Sequence, residues 1–212
     1  MQAIDVIFYV AVLIMSVVIH EISHGFMAEY CGDNTARVAG RLTLNPIKHL
    51  DLFGSIILPA LLYFTAGFAF GWAKPVPYNP NNLRDKKWGT VAVAAAGILA
   101  NLFIAIIFGL VIRFAPSFGF PAFDSLSILP FYKITMNIVL INIALALFNL
   151  VPIPPLDGSK ILFSLLPRSF YNIVQFLERY SLIILVVFVF FLSDFLYPLL
   201  VFLFHVFTGL NF

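Results

Sequence analysis

Residues 4–30 and 89–113 are apolar runs longer than the roughly 20 residues that a helix needs to cross the hydrocarbon layer of a membrane. Inside lipid every backbone polar group must be satisfied within the protein, so such runs are read as spanning helices. Composition agrees. The 212 residues are 62% hydrophobic and 10% charged, and mean hydropathy is +1.02, whereas soluble domains carry about 25% charged residues. The chain therefore reads as an all-α polytopic membrane protein, a transmembrane helix bundle forming one domain over residues 1–212, with the lipid bilayer as its surroundings. A net charge of +2 is too small to suggest a nucleic-acid partner. Cys31 is the only cysteine, which excludes an internal disulfide. The N-terminal run has no basic residue before it, Arg37 being the first, and no small-residue cleavage site after it. It is expected to be a retained helix, not a cleaved signal peptide.

Shorter segments complete the bundle. Gly32-Asp33 ends the first helix. Residues 34–45 alternate apolar and polar side chains around Gly40, which predicts a short β-strand or hairpin. Residues 52–66 are apolar but short and carry Pro59. Residues 67–82 are rich in Gly, Pro and aromatics, and Pro75 and Pro77 predict an extended loop. The run 134–151 breaks at Pro152, Pro154 and Pro155 and is expected to restart as a helix from Asp157 to Leu166. Residues 173–192 read as a further span, and 195–209 as a last apolar piece.

Basic residues mark cytoplasmic loops. Arg37, Arg41 and Lys48 follow the first helix, and Lys74, Arg84, Lys86 and Lys87 precede the 89–113 span. Both groups belong on the cytoplasmic side if 52–82 forms a re-entrant segment near that face. The 134–166 stretch then returns Asp157 to the depth of His20 and His24.

The chemistry lies in His20-Glu21-Ile22-Ser23-His24. Residues i and i+4 share one helix face, so both imidazoles can reach one metal ion, while Glu21, turned about 100° away, can act on water without being a ligand. Ionisable groups in lipid cost about 2.5–3.5 kcal/mol each on insertion scales, so a cluster of them calls for a reason. A catalytic zinc takes three protein ligands and leaves one position open. Among the candidates His49, Asp51, Asp124, Asp157, Asp194 and His205, Asp157 has the matching depth and a proline-broken helix start.

Together with Asn149-Leu150-Val151-Pro152-Ile153-Pro154-Pro155-Leu156-Asp157-Gly158, the His-Glu cluster resembles the site-2 protease family of intramembrane zinc metalloproteases. That family pairs H-E-x-x-H with N-x-x-P-x-P-x-x-D-G on a later helix. Residues 44–51, Gly71-Trp72-Ala73-Lys74-Pro75-Val76-Pro77 and Gly97-Ile98-Leu99-Ala100-Asn101 are similar to stretches of its small bacterial members. Ile98 departs from the Pro that many members carry. The resemblance implies Zn²⁺ held by His20, His24 and Asp157, Glu21 as general base, and Asn149 on the substrate backbone. It also implies a transmembrane protein or peptide as substrate and a place in the bacterial cell membrane with the active site toward the cytoplasm. The chain is expected to lack the PDZ and CBS domains of larger members. Substrate would bind along an edge at 34–45 or 68–78. The competing readings are a metal-ion transporter using the same residues for transit, and a non-catalytic pseudoprotease, against which the intact Glu21 argues.

Other polar residues read more simply as structure. Asn101 is expected to join helices, with Gly97 allowing their close approach. His49 with Asp51 should brace a loop. Trp72, Tyr78 and Trp88 read as interfacial anchors.

Overall fold

The first apolar run forms one unbroken helix, α1 (Ala3–Tyr30), which stops where Gly32 takes φ +112°, a conformation open chiefly to glycine. The structure is a computed structural model and describes residues 3–57, 61, 64–65, 71, 73–119 and 129–210. After a short turn of helix, α2 (Thr35–Val38), the next long helix is α3 (Lys86–Phe114). Asp85 caps it, its carboxylate accepting the N–H groups of Lys87 and Trp88. The helix α4 (Leu129–Leu150) ends before the prolines, and α5 (Asp157–Leu165) resumes beyond them. Then come α6 (Tyr171–Arg179), α7 (Ser181–Val187) and α8 (Tyr197–Thr208).

Among the described residues, α1, α3 and α4 are long and apolar enough to cross a membrane. The expected span at 173–192 is instead a pair of helices bent by 72° between α6 and the α7 segment, so it crosses only if both arms count as one broken span. The last apolar piece is the 12-residue α8, too short to cross alone at 1.5 Å per residue.

α3 lies at the centre, packed against α1, α4, α5 and α8. Small residues on its faces permit this. A Cβ on Gly109 would stand 2.6 Å from Phe207 of α8, so the backbones approach as glycine allows. One apolar core joins Ala105 and Ile112 of α3 to Tyr132, Val139 and Ile143 of α4 and Phe204 of α8. The outer faces carry exposed Ile7, Phe103 and Phe191, as lipid contact requires.

The strand or hairpin expected over 34–45 is not there. Thr35–Val38 is a turn of α-helix, and no strand occurs among the described residues. A local side-chain turn explains the difference. Asp33, fully buried, accepts from both the N–H and the hydroxyl of Thr35, which turns the chain helically at once. Ala36 is then buried where Gly25 of α1 leaves room. The alternating pattern is too short, and without a pairing strand, to compete.

Asp33 also accepts from the backbone N–H of Asn79 and the side-chain amide of Asn82. Burial works against its ionisation, but these donors hold its carboxyl below the usual carboxylate range. It thereby fixes the extended stretch after residue 73 to the end of α1, as does the Arg84 N–H on the Cys31 carbonyl. That stretch is the extended loop its prolines predict. Of the proposed re-entrant course of 52–82, residues 58–60, 62–63, 66–70 and 72 lie outside the described residues; within them, Leu52–Ile57 is a turn of π-helix.

Candidate metal centre

His20 and His24 lie one turn apart on the buried face of α1, with ring centroids 4.6 Å apart and planes nearly perpendicular. Asp157, the first residue of α5, is brought to them by the proline turn after α4. Its Oδ2 is 3.1 Å from His20 Nε2 and 3.0 Å from His24 Nε2, and the two Nε2 atoms are 3.0 Å apart. These three residues are the one group of His, Cys, Asp or Glu side chains among the described residues that could hold a metal.

The far side of each ring decides what this triangle is. His20 Nδ1 is 2.6 Å from Asn101 Oδ1. The amide of Asn101 is oriented by its own donations, to Asn142 Oδ1 at 2.7 Å and the Ser16 carbonyl at 3.4 Å, so its Oδ1 must accept. His24 Nδ1 is 2.7 Å from the Val93 carbonyl, which can only accept. Both neutral imidazoles therefore carry their proton on Nδ1 and turn a lone pair on Nε2 toward the other ring and toward Asp157. Three converging lone pairs repel one another unless a cation lies among them. Tetrahedral zinc with ligands at about 2.0–2.1 Å separates those ligands by roughly 3.3 Å, close to the observed 3.0–3.1 Å. The donor set and its spacing fit zinc.

Asn101 thus does more than join helices. It belongs to a buried network in which Asn142 also donates to Ser16 Oγ, tying α1, α3 and α4 together beneath His20. Interhelical hydrogen bonds in membranes average only about 0.6 kcal/mol, so the larger consequence is the fixed tautomer of His20. The spacing of Gly97 and Asn101 was the sequence signal; the partner was not visible in it.

Gly97 supports both rings from below. A Cβ there would stand 2.6 Å from His20 Cε1, His24 Cε1 and His24 Nε2. Because neither ring can retreat without losing its Nδ1 partner, Gly97→Ala is expected to weaken zinc affinity by about 10- to 100-fold, the range seen when support around metal ligands is lost. Competition with a fluorescent zinc chelator measures this; wild-type affinity would contradict the packing described.

Glu21 is not among the converging atoms. Its Oε2 accepts the backbone N–H of Val76 at 2.9 Å. Residues 73–79 cross the site in extended form, with the Lys74 N–H on the His49 carbonyl and the Arg41 guanidinium on the Lys74 and Pro75 carbonyls. Pro75, Val76 and Tyr78 then join His20, Glu21, His24, Asn149, Asp157 and Lys160 around a cavity of about 140 Å³. At about 30 Å³ per water, this holds a few waters or a peptide unit. A helix about 10 Å across does not fit.

Asn149 lines the cavity, and its amide donates to the Leu145 carbonyl one turn back. Tyr78, read as an interfacial anchor, is part of the cavity wall. Lys160, whose Nζ lies 2.9 Å from Asp157 Oδ1, had no signal beyond its i+3 spacing from Asp157. His49 does brace a loop, through the Thr43 carbonyl, but Asp51 instead accepts from Gly54 N–H. Asp194 and His205 are exposed and do not belong to the converging group, and Asp124 lies outside the described residues.

Residues 8–132 and 125–192 match the model of peptidase family M50. The chain is 40% identical over 182 residues to a Bacillus subtilis (strain 168) protein named "Putative zinc metalloprotease YwhC", covering 85% of this chain and 78% of that one. It is 32% identical over 157 residues to the Mycolicibacterium smegmatis protein named "Putative zinc metalloprotease Rip2", covering 72% of this chain but 54% of the relative. No solved structure matches the chain. With an M50 match over most of its length and a buried His-His-Asp triangle suited to zinc, the chain belongs to peptidase family M50, the site-2 protease family of zinc-dependent membrane metalloproteases.

Proposed function

We propose that the zinc of this metalloprotease is held by His20, His24 and Asp157, that Glu21 is the general base, and that the substrate is a transmembrane segment of another membrane protein, cut near the cytoplasmic side. The observation that carries the ligand assignment is the convergence of three lone-pair atoms at 3.0–3.1 Å, with both Nδ1 positions already committed. Zinc, when bound, acidifies water and polarises the scissile carbonyl. The chain's own residues do the rest. Glu21, oriented by the Val76 N–H through Oε2, takes the proton from the attacking water and returns it to the leaving amine. Asn149, on the cavity wall, contacts the substrate backbone. The small cavity admits only an unwound stretch of peptide, because a helix hides its carbonyls in its own hydrogen bonds. The extended 73–79 stretch beside Glu21 supplies a backbone along which such a peptide can lie.

Two further points support the placement in the membrane. The site lies in the C-terminal third of α1, and basic residues cluster just beyond it, which favours the cytoplasmic side. Cleavage there would release a cytosolic fragment or clear signal-peptide remnants. The test uses the purified protein in liposomes with a single-span substrate, treated with a zinc chelator and then resupplied with zinc, with products read by mass spectrometry. Zinc-dependent cuts inside the apolar span are expected. Cuts confined to the aqueous loops, or zinc flux into the vesicles without any cleavage, would contradict the proposal.

A further inference from the structure

Every oxygen of Asp157 is engaged, although the side chain is only 6% exposed. Oδ2 faces the two imidazoles, and Oδ1 accepts from Lys160 Nζ at 2.9 Å. Lys160 stands one turn along α5 and is itself 41% exposed at its side chain. Its Nζ nonetheless turns inward onto Asp157, and the residue forms part of the cavity wall.

An ordinary i,i+3 ion pair on a helix surface is worth about 0.2–0.5 kcal/mol and constrains little. This pair differs in where its acid lies. A carboxylate with both oxygens free can offer either one or two of them to a metal. Taking both would add a ligand and crowd the position that a catalytic zinc site must leave open. A charge-assisted hydrogen bond on Oδ1 removes that choice. It also satisfies an oxygen that burial would otherwise leave without a partner.

Resting on the ligand set proposed above, we infer that Lys160 is a positioning residue of the metal centre: by holding Asp157 Oδ1 it confines the carboxylate to one-oxygen ligation through Oδ2 and keeps the open coordination position free. Lys160 acts through Asp157 and needs no contact with substrate. Its role calls for a cation of sufficient reach, which arginine also supplies.

The test compares wild type, Lys160→Met, Lys160→Arg and Asp157→Ala in detergent, each loaded with zinc for kinetics and with cobalt for visible absorption. In Lys160→Met the cobalt bands should weaken and shift as a ligand is added. Its kcat should fall about 10- to 100-fold, the scale for lost support of a metal ligand, with KM little changed. Lys160→Arg should restore the wild-type spectrum and most of kcat. A Lys160→Met protein with wild-type spectrum and kcat, while Asp157→Ala loses the metal, would overturn the role of Lys160 and leave the ligand set standing. Retention of metal at wild-type affinity by Asp157→Ala would overturn both.

Discussion

Glu21→Gln is expected to retain zinc and lose cleavage. Glutamine has the shape of glutamate and keeps a side-chain carbonyl, so it can still accept the Val76 N–H that Oε2 holds at 2.9 Å. The segment over the site should therefore stay in place. What glutamine cannot do is accept a proton from water. Loss of a general base costs about 10²- to 10⁴-fold in rate, and kcat should fall on that scale. The zinc content should not change, because Glu21 lies outside the triangle of His20, His24 and Asp157. Single-turnover cleavage of a transmembrane substrate, with zinc measured on the same preparation, checks both halves. Cleavage within a few-fold of wild type would remove Glu21 from the role of base, and loss of zinc would make it a ligand.

Asp157→Ala is expected to show the opposite pattern, losing metal and activity together. Its Oδ2 is the one oxygen in the triangle, and two imidazoles alone do not make a closed zinc site. The affinity loss should exceed the roughly 10- to 100-fold that follows from disturbing a ligand's supports. The helix should survive. Alanine is a good helix former at the first position of α5, and Lys160, already 41% exposed, can turn its charge to water. Circular dichroism unchanged from wild type, with zinc lost on passage over a desalting column, is the expected result. Zinc held as tightly as in wild type would exclude Asp157 as a ligand.

How far these residues could be read beforehand follows from the range of the contacts involved. Hydropathy is a property of contiguous sequence, and it located α1, α3 and α4 to within a few residues. The His20–His24 pair is local to one helix, so its geometry follows from the helical repeat. Asp157 was reachable because the proline-broken motif before it is contiguous and its depth could be matched to that of the histidines. The hydrogen bonds from His20 to Asn101, 81 positions apart, and from Val76 to Glu21, 55 apart, depend on how helices and loop pack. No pattern in one sequence specifies such partners. Residues 34–45 failed for a different reason. Their alternation suggested a strand, but the side chain of Asp33 satisfied the next turn's donors first. A single buried carboxylate outweighed a weak periodicity.

The central claim is that one ion is shared by residues 20, 24 and 157. Diffraction from crystals of the purified protein at the zinc absorption edge tests it most directly. The account predicts a single anomalous peak within about 2.0–2.2 Å of both Nε2 atoms and one carboxylate oxygen of Asp157. A peak bonded elsewhere, or one with that carboxylate beyond ligand distance, would contradict it.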